Sequence, residues 1–168
     1  MIARLPFFLN LEVLQLVKLK RFSSHVSRIN WREFAITRCY CPLCSTRRLF
    51  VKLNSHEMGV RCLTCRATTV TLSLATVLQQ LVPDLSTQKI YELSSRGPLV
   101  KFLKDHCMEL TCSEYFEKVD PGSYFKGVLC QDVQQLSFAD NSFDICTSTE
   151  VFEHVPDDRK GFAEIARV

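Results

Sequence analysis

Two Cys-x-x-Cys motifs carry the most specific chemistry in this sequence. Cys41 and Cys44 form the first motif, Cys62 and Cys65 form the second, and seventeen residues lie between them. Each motif places two thiols at one tight turn, and the intervening residues suffice for a short hairpin. Four thiolates satisfy the tetrahedral preference of Zn²⁺ and leave no open coordination position. The spacing therefore predicts a zinc ribbon with a structural metal, and Cys39 is a spare thiol.

A second set of chemically capable residues follows short apolar segments in the rest of the chain. Residues 89–93, 109–112, 127–130 and 143–147 have the apolar character of strands. Helical patterns precede the first segment at 69–81, follow it from Pro98 onward, and end the sequence after Asp157 or Asp158. Such an order predicts an open α/β sheet, in which ligands bind at the carboxyl ends of the strands. The polar residues at those ends are Glu92, Ser94, Ser95 and Gly97, then Glu114, then Asp132, then Thr149 and Glu150.

Two stretches near the end of the chain carry a family resemblance. Residues 136–145 read LSFADNSFDI, and residues 149–158 read TEVFEHVPDD. Together with the strand pattern they resemble the class I S-adenosylmethionine-dependent methyltransferases, in particular the type 11 group, over roughly residues 89–168. The resemblance implies a Rossmann-like open sheet and a methyltransferase that uses S-adenosylmethionine. The family continues with further strands beyond this point, so the sequence predicts a partial, C-terminally truncated sheet.

The resemblance also implies roles for the residues at the first two strand ends. Glu92, Ser94, Ser95 and Gly97 match the turn that approaches the methionine end of the cofactor, where small and flexible residues let the backbone come close. Glu114 lies seventeen residues beyond Gly97. This spacing is close to that of a carboxylate that accepts hydrogen bonds from ribose hydroxyls.

The later strand ends complete the predicted cofactor site. In the family an acidic residue after the third strand contacts the adenine amino group, and Asp132 matches it, with Val133 beside it. Thr149 and Glu150 match residues that line the cleft next to the sulfonium and the incoming nucleophile. His154 is a candidate general base, although a histidine of a loop or helix start is the alternative interpretation. Catalytic residues are not assigned, because methyl transfer needs mainly positioning and desolvation.

The turn after the first strand departs from the family in having one glycine, Gly97, with Arg96 beside it. A Gly-x-Gly-x-x-Gly fingerprint is absent, which argues against a nicotinamide-binding domain.

Composition and charge set the broad class. The chain has 168 residues, 46% of them hydrophobic, and nine cysteines at irregular spacing. Without a secretory signal, such cysteine usage favours reduced, mostly buried thiols and a cytoplasmic protein. Residues 1–66 carry twelve basic and three acidic residues, a net charge of +9, whereas residues 67–168 carry nine and fifteen, a net charge of −6. The basic half predicts an anionic partner; attraction between the two halves is the alternative.

The predicted organisation has four parts. Residues 1–38 form a basic N-terminal extension, 39–66 the zinc ribbon, 67–88 a linker helix, and 89–168 the partial methyltransferase domain. An apolar cluster within residues 7–17 predicts an amphipathic helix, with a membrane-surface helix as the alternative. It is too short and too mixed for a transmembrane segment.

Two functions from different classes are compatible with this organisation. The first is methyl transfer from S-adenosylmethionine to an unidentified acceptor, with the zinc ribbon positioning the substrate or bracing the domain. The second is a non-catalytic module, in which the basic ribbon binds nucleic acid or another anionic partner on an incomplete α/β scaffold.

Overall fold

The computed structural model of this protein describes residues 31–168. The predicted amphipathic helix lies outside the described residues. Within the described part, no helix has both the length and the apolar character needed to cross a membrane.

The first folded unit is a three-stranded antiparallel sheet built around the cysteine motifs. Its strands are β1 (Ala35–Cys41), β2 (Thr46–Lys52) and β3 (Val60–Cys62), in the order β1-β2-β3. The first motif spans the β1–β2 turn, and the second begins at the end of β3. Strand β1 was not predicted, and it begins inside the predicted N-terminal extension. The domain boundaries themselves stay predictions.

Helix α1 (Thr69–Leu81) connects this ribbon to the rest of the molecule and has the bounds that its apolar spacing predicts. Gln79 Nε2 donates a hydrogen bond of 3.1 Å to the carbonyl oxygen of Pro42 in the first cysteine turn. Leu43, from the same turn, packs against the core cluster that contains Leu78 of α1 and Leu103 of the following domain. The ribbon is therefore packed onto the α/β domain through α1.

The second unit is a five-stranded α/β sheet. Its elements are β4 (Lys89–Glu92), α2 (Pro98–His106), β5 (Glu109–Glu114), β6 (Tyr124–Phe125), β7 (Val128–Cys130), β8 (Ile145–Thr147) and α3 (Asp158–Arg167). The order is β6-β7-β5-β4-β8; β7, β5, β4 and β8 run parallel, and β6 is antiparallel to β7. This arrangement confirms the predicted Rossmann-like sheet with a small ribbon module.

Apolar residues cover both faces of the central strand β4. Ile90 is fully buried in the cluster that α2 contributes to, and Tyr91 is 1% exposed in a second cluster with Leu93, Val133 and Leu136. A strand enclosed on both sides is typical of parallel sheets. The hydrophobic core thus fixes β4, whose carboxyl end opens towards the candidate site.

Helix α3 holds the loop between β7 and β8 in place. Asp157 caps the helix by accepting a hydrogen bond of 3.1 Å from the backbone N–H of Lys160. At the other end, the Arg167 guanidinium donates to the carbonyl oxygens of Leu136 (3.0 Å) and Phe138 (2.9 Å). The segment that carries the family resemblance is therefore tied to α3 through its own backbone.

Candidate functional site

The strand order defines where a ligand can bind. Within the sheet, the chain proceeds from β4 to β5 and β7 on one side of β4. It then returns to β8 on the other side of β4. The strand order therefore reverses at β4, and in open α/β sheets the crevice at such a switch point is the usual ligand site. The loops after β4, β5, β7 and β8 all open onto this edge.

A narrow cavity of about 230 Å³ occupies the β5–β7 side of this edge. Asp132 and Val133, which follow β7, contribute to its wall. The Asp132 carboxylate accepts a hydrogen bond of 2.9 Å from the backbone N–H of Gln134, which fixes the carboxylate in a tight turn. Apolar walls with one placed carboxylate suit a flat heteroaromatic ring. The other residues lining the cavity are Tyr91, Leu93, Ser113, Tyr115, Gln131, Gln134, Val151, His154, Val155 and Pro156.

A wider cavity of about 670 Å³ adjoins the narrow one and lies over the carboxyl ends of β4 and β8. Five predicted site residues line it: Ser94, Gly97, Glu114, Thr149 and Glu150. The two cavities share the wall residues Leu93, Tyr115, Val151 and His154. They are therefore neighbours at the same edge of the sheet, and we call the two together the strand-end cleft.

Glu114 is the best-oriented carboxylate of the strand-end cleft. Its Oε1 atom accepts a hydrogen bond of 2.8 Å from Ser95 Oγ and lies 3.3 Å from Arg96 Nε. The side chain of Glu114 is 24% exposed, whereas that of Arg96 is 86% exposed. Both contacts are made to one oxygen, so the other oxygen has free acceptor capacity.

Gly97 makes the turn after β4 possible. Its backbone has φ = 119° and ψ = 177°, a region that only glycine occupies without strain. Pro98 then begins α2 at a position where a missing N–H is harmless. The positive end of the helix consequently faces the cleft, and there is no acidic residue in its first turn.

Two predicted site residues lie behind the cleft instead of in its wall. Glu92 is fully buried, and its carboxylate accepts hydrogen bonds from Ser94 Oγ (2.6 Å) and from Thr147 Oγ1. Burial raises the pKa of Glu92 above its ordinary value, although these hydrogen bonds oppose the shift. Ser95 lines neither cavity and instead orients Glu114. The fold thus brings seven of the nine predicted residues to the cleft, and direct cofactor contact stays a prediction for all nine.

Several cleft residues were not predicted from the sequence. Tyr91 shares a hydrogen bond of 2.7 Å with Ser113, and burial raises the pKa of the Tyr91 hydroxyl. Tyr115 follows Glu114 directly, so an aromatic residue beside the strand-end acid was the available signal. Arg61 and Arg66 come from the ribbon and also line the wider cavity. Local sequence gave no signal for them, because their place depends on how the ribbon packs on the domain.

The four predicted metal-binding cysteines are gathered in one place. The sulfur atoms of Cys41, Cys44, Cys62 and Cys65 all lie within 4.8 Å of one another, and Cys41 Sγ is 3.7 Å from Cys65 Sγ. Tetrahedral Zn²⁺ with bonds of about 2.3 Å implies sulfur–sulfur distances of roughly 3.8 Å. The tetrad could therefore hold a metal ion with little rearrangement.

The protonation of the tetrad is set by burial and by hydrogen bonds around the four sulfur atoms. Burial raises the pKa of Cys41 to about 11 and also raises that of Cys65. Burial raises the pKa of Cys62 as well, but hydrogen bonds from the backbone N–H groups of Cys65 and Thr64 outweigh it, and the net shift is downward. Burial thus favours the thiol form at Cys41 and Cys65, and a metal ion that binds there would replace their protons. Of the five cysteines outside the tetrad, Cys130 is buried, Cys107, Cys112 and Cys146 are half-buried, and Cys39 is exposed, so the expectation of buried thiols holds fully only for Cys130.

Comparison with known proteins agrees with the geometry of the second unit. Residues 93–168 match the model of a family described as a methyltransferase domain. This match supports a class I S-adenosylmethionine-dependent methyltransferase domain over that segment, and the cysteine tetrad before it fits a zinc-ribbon-like module. Neither the comparison with curated proteins nor that with solved structures found a match.

Proposed function

We propose that the protein transfers a methyl group from S-adenosylmethionine to an acceptor bound in the wider cavity, and that Zn²⁺ in the cysteine tetrad is structural. The observation that carries the proposal is the convergence of acidic and small residues at the switch point of a methyltransferase-type sheet. Asp132 lies in the narrow cavity, and Glu114 and Gly97 lie in the wider one beside it. The cleft therefore offers separate places for an adenine ring, a ribose and a methionine chain.

The proposed roles follow from the contacts of each residue. Glu114 would accept hydrogen bonds from the ribose hydroxyls, because Ser95 and Arg96 hold only one of its two oxygens. Asp132 would accept from the adenine amino group, with Val133 forming part of the apolar wall. Gly97 lets the turn after β4 approach the methionine end without a side chain in the way.

The protein's contribution to the chemistry would be positioning and exclusion of water. S-adenosylmethionine supplies a methyl group already activated on a sulfonium, so alignment of the nucleophile contributes much of the rate. His154 is an exposed residue that lines both cavities, and in this proposal it would accept a proton from the methyl acceptor. Glu150 lines the wider cavity with its backbone at φ = 56°. Such left-handed geometry in a non-glycine residue often marks a functional position.

Calorimetry with S-adenosylmethionine and S-adenosylhomocysteine tests the proposal. We expect both compounds to bind the zinc-loaded full chain. Glu114→Gln and Asp132→Asn should each weaken binding by about tenfold or more, because hydrogen bonds to charged groups contribute roughly 1.5–3 kcal/mol. Glu109→Gln is the matched control, because Glu109 begins β5 at the opposite edge of the sheet. Absence of binding by the parent protein, or an equal effect of the control, would refute the assignment.

One observation favours the second function, an anion-binding ribbon without catalysis. Arg38 and Arg47 lie on one face of the ribbon sheet, where Arg38 pairs with Leu49 and Tyr40 with Arg47. Tyr40 is 59% exposed and Leu49 is 50% exposed on the same face. Guanidinium groups interleaved with an exposed aromatic ring suit single-stranded nucleic acid, which binds through phosphates and stacking.

Fluorescence anisotropy with labelled single-stranded RNA and DNA of about 15 nucleotides tests this candidate, since such a length covers known single-strand sites. We expect affinity to fall steeply with salt if phosphates are contacted. Arg38→Gln together with Arg47→Gln should then reduce the salt slope, whereas Arg159→Gln on α3 should not. Binding that is equally strong in the double variant would exclude this face as the nucleic-acid site.

A further inference from the structure

We infer that the methyl acceptor is an anionic molecule, whose phosphate or carboxylate group is bound by Arg61 and Arg66 of the zinc-ribbon module. This inference rests on the proposed methyl transfer and assigns a class to the acceptor. Both arginines line the wider cavity together with Ser94, Gly97 and Thr149 of the methyltransferase domain. The ribbon therefore forms one wall of the cleft in which the acceptor would bind.

The two ribbon arginines are available to a ligand. Both are exposed, and among the described residues neither forms an ion pair or a hydrogen bond through its side chain. Arg61 stands opposite Thr68 across an antiparallel bridge, and Thr68 is the first residue before α1. Arg61 thus lies next to the start of a helix.

The backbone adds further positive potential to the same cavity. Thr68 and Thr71, at the beginning of α1, line it, and Thr68 forms no side-chain cap to the helix. Gly97 and Pro98, at the beginning of α2, line it from the other side, and Gly97 has no side chain with which to cap. Neither helix has an acidic residue in its first turn. Two helix starts that face one cavity favour an anion there.

The negative groups of the cavity do not cancel this potential. Glu114 is already engaged by Ser95 and Arg96 through one carboxylate oxygen. Glu150 is the other carboxylate in the wall and lies in the turn after β8. Among the described lining residues, the guanidinium groups of Arg61, Arg66 and Arg96 and the two helix starts therefore outweigh the carboxylates of Glu114 and Glu150. Arg guanidinium groups bind phosphate and carboxylate in a bidentate manner, which would also orient the acceptor.

Arg66 occupies a backbone position that would suit glycine better. Its φ is 65°, and a residue with a side chain is strained in this left-handed region. A large cation at such a position, with its side chain lining the cleft, is consistent with a binding role.

Anion binding in the presence of saturating S-adenosylhomocysteine tests the inference. The probes are inorganic pyrophosphate and citrate, titrated separately by calorimetry into the zinc-loaded chain; the better probe indicates a phosphorylated or a carboxylated acceptor. We expect at least one to bind, and Arg61→Gln with Arg66→Gln to weaken it by about tenfold or more. Arg159→Gln should leave it unchanged. Arg66→Gly, which suits the backbone, provides a folded variant if the double substitution lowers stability.

The outcomes separate this inference from the proposed function. The inference is supported if the Arg61→Gln, Arg66→Gln variant binds S-adenosylhomocysteine as the parent does but no longer binds the anionic probe. Loss of anion binding on addition of S-adenosylhomocysteine would overturn it, because the arginines would then serve the carboxylate of the cofactor. Absence of binding of either probe to the parent protein would overturn it as well. If S-adenosylhomocysteine itself fails to bind, the proposed function fails, whatever the anions do.

Discussion

Replacement of Gly97 by alanine is expected to affect stability and cofactor binding for separate reasons. The backbone of Gly97 has φ = 119° and ψ = 177°, and an added Cβ would meet no atom within 4 Å. Steric clash with the protein therefore contributes nothing, and the whole penalty is conformational. A side chain held in this region costs about 1–3 kcal/mol.

The expected loss is measurable in two assays. Urea unfolding of Gly97→Ala should give a free energy of unfolding lower by about 1–3 kcal/mol, and each kcal/mol should lower the midpoint temperature by about 2–4 °C for a chain of this size. Calorimetry should give a higher Kd for S-adenosylhomocysteine, because the new methyl group would occupy the turn that the methionine end approaches.

Gly127→Ala is the matched control. Gly127 has φ = 80°, has no atom within 4 Å of an added Cβ, and does not line the strand-end cleft. We expect it to lower stability by about 1–2 kcal/mol and to leave the Kd unchanged. A Gly97→Ala protein as stable as the parent would refute the conformational argument. An equal change in Kd for both variants would show that the binding effect is not local.

Three further predictions concern the core, a buried carboxyl group and the metal. Leu103 is fully buried, so Leu103→Ala should lower the free energy of unfolding in urea by about 2–5 kcal/mol, and a loss below 1 kcal/mol would contradict its place in the core. Burial raises the pKa of Glu92, so ionisation of this carboxyl opposes folding. The protonated carboxyl contributes its full stabilisation below the ordinary pKa of 4.5, and this contribution is lost as the pH rises through the raised pKa. Denaturation of Glu92→Gln at pH values between about 4 and 8 should therefore show the variant gaining stability relative to the parent as pH rises, and parallel curves would argue against a raised pKa. Elemental analysis should find one zinc per chain in the parent protein and in Cys39→Ser, but none in Cys65→Ser. Removal of the zinc with a chelator should lower the midpoint temperature of unfolding. An unchanged zinc content in Cys65→Ser would exclude the tetrad as the zinc site.

The helices and the parallel strands were predictable because their physical signals are local. Apolar spacing gave α1 its bounds, and Pro98 marked the start of α2. Strand β1 gave no such signal, since five of its seven residues, Ile36 to Tyr40, are exposed, and no buried face imposes alternation. Its pairing with β2 is a tertiary event that the cysteine turn brings about.

The site was predictable where position along a strand determines position in space. The carboxyl ends of parallel strands meet at one edge, so Glu114 and Asp132 were predicted to lie close to Gly97. Glu92 differs because β4 is covered on both faces, and a residue at its end can point into the interior. The contribution of Arg61 and Arg66 was beyond sequence reasoning, because it depends on the packing of two separately formed units.

The two cysteine turns repeat one backbone shape, and this has an evolutionary consequence. Each motif is followed by a left-handed residue, Ser45 at φ = 52° and Arg66 at φ = 65°. Glycine would relieve the backbone strain in both turns. A screen for heat resistance alone, or a consensus design, would therefore select glycine at either position. At position 45 such a change leaves the strand-end cleft untouched, whereas at position 66 it removes a guanidinium from the cleft wall. Thermal robustness and acceptor recognition would therefore compete at a single residue of the zinc-ribbon-like module.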